Sequence, residues 1–373
     1  MHRGFRVVKL LCLQLLCLLL LGIYSQHVRA ESCGGSVGQM TINVPNIRYL
    51  PTLRANTQMT NAMADNGGGI HFVCDLQMPT AGWKRIVYQQ VNTGGSPQVI
   101  NGQHVYASAL SGMGYSLGFQ CGGGPIHYID GSHAPAGSES VTVCESSQLS
   151  TLLSQRETVV KAYITFYKTG DVALVSGNHA SVSGQPQVGN LYIEKQDGSS
   201  AARTASAPVS IDLAALNVDI GASGSCQVAR PTINVNLGTV NKAAFKGKTT
   251  TAGVTQTFSI PVYCTTPTDV RIGFFGVAAD PAASDTLALE KVDGSASGVG
   301  IKLSYGNNPA PAPSVGTPVK INESSNLPVL KHIVAGSAAG AESINFTARY
   351  VQTGDVVTPG RANGLATFAL EYN

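Results

Sequence analysis

Residues 358–373, with the sequence TPGRANGLATFALEYN, alternate between apolar and polar or small side chains toward their end. In an extended chain, Phe368, Leu370 and Tyr372 fall on one face, and the residues between them fall on the other. One apolar face is typical of a β-strand that lies against a core. The segment therefore predicts a half-buried strand close to residue 373.

Similar short alternating runs recur through the chain, between turn-forming clusters such as residues 66–69 (NGGG) and 122–125 (GGGP). Charged residues make up only 12% of the sequence and glycine occurs 42 times, which does not favour long amphipathic helices. We predict an all-β protein with two β-sandwich domains, and one short helix at residues 146–155. The clearest predicted strands are residues 159–167 (VVKAYITFY), 258–263 (FSIPVY), 270–275 (VRIGFF), 299–305 (VGIKLSY) and 344–351 (INFTARYV).

The first 30 residues predict a secretory signal peptide. They contain four basic residues and no acidic one, an apolar run over residues 10–24, and a small-residue cleavage pattern at residues 28–30 (VRA). The mature chain is then expected to begin at Glu31 and to keep 20 of the 24 basic residues against all 21 acidic residues. This near-neutral balance does not favour a nucleic-acid partner. Since no second long apolar segment follows, no membrane span is predicted.

Six cysteines remain after the predicted cleavage. An even number in an exported protein predicts disulfides rather than free thiols. Six cysteines allow 15 connectivities, of which pairing in sequence order is the simplest. No Cys-x-x-Cys pair occurs, so we predict no metal site made of cysteines and no cofactor. The six are Cys33, Cys74, Cys121, Cys144, Cys226 and Cys264.

The boundary between the two domains is predicted within residues 217–225 (NVDIGASGS), which are rich in small turn-forming residues and lie directly before Cys226. We therefore divide the chain into a signal peptide (1–30), a first domain (31–222) and a second domain (223–373). With pairing in sequence order, the first domain holds two disulfides and the second holds one.

The second domain resembles the pilin domains of the chaperone–usher pathway. The likeness rests on the penultimate Tyr372, on Gly360, which is the fourteenth residue counted from the end, and on the placement of Cys226. Supporting segments are residues 226–240 (CQVARPTINVNLGTV), 298–305 (GVGIKLSY) and 346–350 (FTARY).

This resemblance implies an incomplete immunoglobulin-like sandwich that lacks its last strand and leaves an apolar groove beside the C-terminal strand. A periplasmic chaperone first lends a strand to such a domain, and an extension of the adjacent fimbrial subunit later replaces it. The residues implied to face the chaperone and the donor strand are Phe368, Leu370 and Tyr372.

The whole layout is similar to the two-domain tip adhesins of chaperone–usher fimbriae, because about 190 residues stand where a shaft pilin carries a short donor peptide. Residues 83–88 (WKRIVY) and 112–121 (GMGYSLGFQC) also resemble fimbrial tip proteins. The resemblance implies a non-enzymatic adhesin, exported through the periplasm to the fimbrial tip at the cell surface. Its implied partners are the chaperone, an outer-membrane usher, the adjacent subunit and a host-surface glycan.

Three loops carry residue types that suit sugar recognition: residues 61–71, 92–106 and 122–140. The first candidates lie in a glycine-rich loop bounded by cysteines. The plain alternative is that the aromatic residues are core or rim residues and that Asp-Gly is a turn. The candidates in order are Tyr128, Asp130 and His133, followed by Asn101, His104 and Trp83.

Two variants of the adhesin hypothesis remain open at this point. A zinc-dependent adhesin would use histidines as ligands, although no close His-His spacing occurs; these histidines are His71, His104, His127 and His133. A sulfated-glycan adhesin, whose binding would weaken with salt, would use Arg48, Arg54, Lys84 and Arg85.

An enzyme hypothesis rests on residues 114–118 (GYSLG), which match the Gly-x-Ser-x-Gly pattern of a hydrolase nucleophile at Ser116. That chemistry requires a strained turn from a strand into a helix, and residues 119–125 (FQCGGGP) are unsuited to start a helix. We therefore expect no enzymatic role for this serine.

Overall fold

The structure is a computed structural model. It describes residues 33–74, 83–131, 139–145, 147–148, 157–172, 178–195, 208–221, 226–280, 283–334 and 342–372. The predicted signal peptide and the predicted boundary at residues 222/223 lie outside these residues. Of the predicted helix at 146–155, only Ser147 and Gln148 are described, and both are helical. In the described part of the chain, no helix is long and apolar enough to cross a membrane.

The first domain consists of short strands separated by turns. They are β1 (Cys33–Gly35), β2 (Gln39–Ile42), β3 (Ile47–Tyr49), β4 (Thr57–Gln58), β5 (Met63–Ala64), β6 (Ile70–Cys74), β7 (Trp83–Gln90), β8 (Gln98–Ile100), β9 (Gln103–Ala107), β10 (Met113–Cys121), β11 (Ile126–Tyr128), β12 (Ser140–Cys144), β13 (Glu157–Lys168), β14 (His179–Val182), β15 (Gln185–Lys195), β16 (Val209–Leu213) and β17 (Leu216–Ile220).

These strands form three sheets around one core. The largest has the order β1-β6-β13-β10-β9-β8, with β11 paired to β10 and with β4 and β5 paired to β13. The others have the orders β12-β7-β15-β16-β2 and β14-β17-β3. Strands β2 and β3 pair in parallel with β16 and β17, which connects the beginning of the domain to its end. Apolar side chains from all three sheets meet in the core.

The second domain has two sheets. One has the order β18-β19-β25-β23-β22-β21, and the other has the order β24-β20-β26. Its elements are β18 (Cys226–Val228), a 3-10 turn (Lys242–Ala244), β19 (Thr251–Cys264), β20 (Thr268–Phe275), β21 (Ala278–Asp280), β22 (Ala283–Ala288), β23 (Val299–Tyr305), β24 (Lys331–Ile333), β25 (Glu342–Gln352) and β26 (Thr367–Tyr372).

The prediction of an all-β protein is confirmed, and each of the five clearest predicted strands is a strand in the structure. These segments form strands because their buried residues alternate with exposed or half-buried ones, as in β19 and β25.

The final strand β26 was predicted to be half-buried, but in the structure it is covered on both faces. Phe368 and Leu370 pack against the core of the second domain. Ala369 and Glu371 are also buried, and Ala369 belongs to the core of the first domain. The alternation was therefore read correctly, but the sequence gives no sign that the first domain covers the second face.

Side chains connect the two domains at this point. Glu371 forms a salt bridge with Arg48. Asn61 donates its side-chain N–H to the carbonyl of Ile321 at 3.0 Å and accepts a hydrogen bond from the Asn322 amide at 3.0 Å. The last strand of the second domain is thus held between two cores.

The predicted disulfide pairing in sequence order agrees with the strand register. Cys33 and Cys74 are direct partners in the antiparallel pair of β1 and β6. Their side chains lie outside the described atoms, so this bond stays a prediction. The other two predicted bonds are formed, as Cys121–Cys144 and Cys226–Cys264.

Candidate functional site

An extended segment without a strand partner forms one wall of a groove in the second domain. This segment, residues 231–237 (PTINVNL), is called the unpaired segment below. Ile233 and Val235 are half-buried and Leu237 is buried, whereas the residues between them are exposed. The period of two is that of a β-strand, yet within the described chain the segment pairs with no other strand.

The opposite wall is formed by residues 362–368, which lead into β26. The carbonyls of Val270 and Phe274 in β20 accept hydrogen bonds from Leu330 and Asn322, on the side away from β26. Only the alternate residues of β20 therefore direct their backbone hydrogen-bonding groups toward β26, and their partners in the register include Ala369. The backbone groups of Phe368 and Leu370 accordingly point to the open edge.

The floor of the groove is an aromatic and aliphatic layer. Phe274 lies edge-on to Phe346 with ring centroids 4.9 Å apart, and Phe258 stacks on Phe346 at 5.6 Å. Ile301 and Leu303 of β23 continue this layer. The groove has a volume of about 760 Å³. Both its walls are extended chain and its floor is apolar, so its shape and chemistry suit one further β-strand.

The two ends of the groove carry side chains of opposite charge. The acidic end has the exposed Glu290, whose backbone N–H donates to the carbonyl of Asn363 at 2.8 Å. At the other end, the Thr52 hydroxyl of the first domain donates to the carbonyl of Leu370 at 2.6 Å, and the exposed Arg54 lies beside it. Both domains therefore contribute to the groove.

The three residues predicted to face the chaperone have different positions. Phe368 lines the groove, as the resemblance implied. Leu370 is buried in the core of the second domain and is not among the residues that line the groove. The side chain of Tyr372 lies outside the described atoms.

Tyr128, the first candidate for sugar binding, lies on the face of the large sheet in the first domain. A Cβ atom at Gly118 would come within 2.6 Å of the Tyr128 ring, so the ring occupies the space that this glycine leaves. Burial raises the pKa of Tyr128, and a side-chain hydrogen bond with Thr165 opposes the shift. This placement agrees with the plain alternative of a rim aromatic residue.

Asp130 and His104 are brought close together at one edge of the first domain. The backbone N–H of His104 donates to the carbonyl of Ile129 at 2.8 Å, and the exposed Asp130 follows directly. Nδ1 of His104 lies 3.1 Å from the carboxylate of Glu139, which also accepts a hydrogen bond from the Tyr106 hydroxyl at 2.6 Å. Burial and this hydrogen bond raise the pKa of Tyr106. We call these five residues the His104 cluster.

The other predicted ligand-binding residues do not join the His104 cluster in the described structure. Asn101 has a positive φ of 54° and occupies the tight turn between β8 and β9, where its residue type suits the backbone conformation. Its side-chain amide contacts Gln58. His133 and the side chain of Trp83 lie outside the described atoms.

Two of the four basic residues of the sulfated-glycan hypothesis are paired with acidic residues. Arg48 contacts Glu371, and Nε of Arg85 donates to Glu194 at 2.5 Å. Paired guanidinium groups attract a sulfate less than solvated ones do, so these contacts weaken that hypothesis. Arg54 lies at the groove instead, and the side chain of Lys84 lies outside the described atoms.

Two of the four histidines of the zinc hypothesis each contact a single carboxylate. His71 contacts Glu157, and His104 contacts Glu139. Among the described residues, no group of three or more His, Cys, Asp and Glu side chains could hold a metal ion.

Ser116 lies in the middle of β10, not at a turn from a strand into a helix. Its hydroxyl donates to Gln103 at 2.9 Å, and the side chain is buried. The flanking glycines have a packing role, because a Cβ atom at Gly114 would meet Val105 and one at Gly118 would meet Tyr128. The Gly-x-Ser-x-Gly match therefore reflects one strand face that is covered by neighbouring side chains.

A model of the fimbrial protein family matches residues 215–373. A type-1 fimbrial protein subunit of Serratia marcescens is 32% identical to this chain over 155 residues, which are 40% of this chain and 79% of that protein. The chain belongs to the fimbrial protein family. The match covers the second domain, including both walls of the groove.

Solved structures that are similar to this fimbrial subunit include three proteins with low sequence identity. The ambient temperature fimbriae adhesin AtfE of Proteus mirabilis is 14% identical, with 49% of this chain and 98% of that chain covered and a TM-score of 0.34. The CupB6 tip adhesin of Pseudomonas aeruginosa is 17% identical, with 91% and 94% covered and a TM-score of 0.29. The receptor binding domain of the adhesin MrkD1P of Klebsiella pneumoniae is 16% identical, with 52% and 99% covered and a TM-score of 0.28.

The predicted resemblance to fimbrial subunits is thus confirmed, and the family assignment rests on the sequence matches. Membership places this fimbrial subunit among pilus proteins of the cell surface, whose role is structural and binding.

Sequence reasoning missed part of the groove in this fimbrial subunit. The unpaired segment was noted only as a supporting likeness, although its alternation of Ile233, Val235 and Leu237 was visible. Thr52 had no signal at all, since it reaches a strand more than 300 positions away only after both domains have folded. Arg54 was predicted only as a possible sulfate-binding residue, not as a residue of the groove.

Proposed function

We propose that this fimbrial subunit is a tip adhesin whose second domain accepts a donor strand from a periplasmic chaperone and then from the adjacent subunit. The observation that carries this proposal is the groove between the unpaired segment and β26. An inserted strand would find the outward backbone groups of Phe368 on one side and those of the unpaired segment on the other. It would also cover the aromatic floor.

The energetic reason for accepting a strand is the exposed edge. An open edge beside an apolar floor favours association with any extended chain, and proteins normally cover such edges. Pairing with a dedicated strand satisfies the backbone groups and removes apolar surface from water.

The terminal position in the fibre is supported by how the first domain uses its residues. The described residues before Cys226 are largely built into the sheets of the first domain, where β2 and β3 lie next to β16 and β17. We infer that a subunit whose described residues before Cys226 are folded in this way accepts a strand at the end of a fibre.

The decisive experiment is coexpression of the full chain with its chaperone in the periplasm, followed by addition of the N-terminal extension of the adjacent subunit. We expect a stable one-to-one complex with the chaperone, and exchange of the chaperone strand for the added peptide. A full chain that is soluble, monomeric and indifferent to both partners would refute the proposal.

The ligand of the first domain is proposed to be a host-surface glycan. The support is the exposed Asp130 next to His104, because carboxylates and imidazoles arranged at one edge of a rigid sheet can bind sugar hydroxyls.

A glycan array probed with the full chain tests this ligand class and the site together. We expect Asp130→Ala to reduce retention on the bound glycan at least about tenfold, because a lost charged hydrogen bond costs about 1.5–3 kcal/mol. Asp293→Ala removes a carboxylate that is also exposed, but from the second domain, and is expected to bind normally. Equal binding by wild type and Asp130→Ala would place the site elsewhere, and the absence of any bound glycan would exclude the ligand class.

A further inference from the structure

The contribution of the first domain to the groove suggests how an inserted strand is positioned. The Thr52 hydroxyl donates a hydrogen bond to the carbonyl of Leu370 at 2.6 Å. That carbonyl belongs to the open edge of β26, so an inserted strand that pairs along this edge can use Phe368 but meets Thr52 at Leu370. The first domain therefore blocks one end of the groove.

Residues 50–54, the segment that carries Thr52, are held firmly in place by the rest of the first domain. Lys168 is buried, and its Nζ atom donates to the carbonyl of Pro51 at 2.8 Å and lies 4.8 Å from the ring centroid of Tyr49. Leu50 and Leu53 on either side of Thr52 are buried in the core of the first domain. An inserted strand would therefore meet a fixed wall at this end.

Charge distinguishes the blocked end from the far end. Arg54 is exposed and lines the groove beside Thr52, and no acidic partner for it is described. The far end carries Glu290, which is also exposed and lines the groove. A strand with an acidic side chain at one end and a neutral or basic side chain at the other would complement these two charges.

We propose that Thr52 and Arg54 form an end wall that stops an inserted strand after Phe368 and presents Arg54 to an acidic side chain at that end of the strand. The occupant is an extended segment of another fimbrial subunit, apolar at alternate positions and acidic where it reaches Arg54. This inference rests on the proposed function. It adds that the adhesin domain itself helps to select the donor strand and to set its register.

The test is a competition between peptides during refolding of the mature full chain. The peptides have about nine residues, with Val or Leu at alternate positions. Four versions carry either Asp or Lys at either the first or the last position. After refolding and removal of unbound peptide, mass spectrometry measures the ratio of retained Asp and Lys peptides.

We expect one of the two Asp peptides to be retained about three- to tenfold over its Lys counterpart, as is typical for a change from repulsion to attraction at an exposed ion pair. Arg54→Glu should reverse that preference. Lys161→Glu changes the net charge equally at an exposed position in β13, away from the groove, and should leave the preference unchanged. Lengthening the favoured Asp peptide by two residues at its acidic end should not increase its retention.

The outcomes separate this inference from the proposed function. If no peptide of any charge is retained, the groove does not accept a strand, and both proposals fail. If peptides are retained but Arg54→Glu leaves the ratio unchanged, the end wall is refuted while the strand-accepting function stands. Tighter binding of the lengthened peptide would also contradict the end wall.

Discussion

Replacing Val235 by Asp is expected to abolish binding of a donor strand. Val235 is half-buried in the unpaired segment and lines the groove. An inserted strand would bury the new carboxylate against the aromatic floor without a partner, which costs several kcal/mol. The affinity for a donor peptide should therefore fall at least about a hundredfold, equivalent to about 2.7 kcal/mol. Retention of the peptide after refolding of the full chain measures this loss.

The matched control is Asn236→Asp, which adds the same charge one position further along. Asn236 is exposed, so its carboxylate stays in water when the groove is filled. We expect normal retention of the donor peptide by this variant. If Val235→Asp and Asn236→Asp bind equally well, the unpaired segment does not form a wall of the strand site.

Removal of the Cys226–Cys264 disulfide is expected to cause the second large effect. The bonded residues are 38 positions apart in sequence, and closing a loop of this length stabilises a fold by about 4 kcal/mol. The bond also fixes the start of the unpaired segment. It joins β18 to β19, and β18 ends at Val228, just before that segment begins. The double variant Cys226→Ala/Cys264→Ala should lose about 4 kcal/mol of unfolding free energy. It should also lose retention of the donor peptide.

The Cys121–Cys144 bond in the first domain provides the comparison. It closes a loop of 23 residues, and its removal should cost about 3 kcal/mol. Since it lies far in the sequence from both walls of the groove, the double variant should still retain the peptide in the cold. Chemical denaturation measures both stability losses. Equal retention by the two double variants would show that the second-domain disulfide does not support the groove.

Local pattern was sufficient to predict the strands and their class. Each strand that was clearest in the sequence has alternating or fully buried residues in the structure, as β20 and β25 show. The pairing of Cys226 with Cys264 could also be predicted, because pairing in sequence order is the simplest of the 15 connectivities that six cysteines allow. These signals depend only on residues that are near in sequence or limited in number.

The site was harder to predict because it depends on what is missing or distant. The alternation of the unpaired segment resembles any strand, and only the fold shows that it has no partner. The contact of Thr52 with Leu370 joins two domains across 318 positions, and no local pattern encodes it. Among the predicted sugar-binding residues, the fold brought Asp130 and His104 together but placed Asn101 in a turn, where its role is conformational.

Hydrogen exchange of backbone amides tests most directly whether the second domain lacks a strand. The amides of residues 233–237 and of Phe368 should exchange rapidly in the full chain alone. The former belong to a segment with no strand partner in the described chain, and the latter points to the open edge of β26. They should become strongly protected once a donor peptide is bound, while the amides of β25 stay protected in both states. If the amides of residues 233–237 and Phe368 are already protected in the peptide-free monomer, the sandwich is complete and the account is wrong.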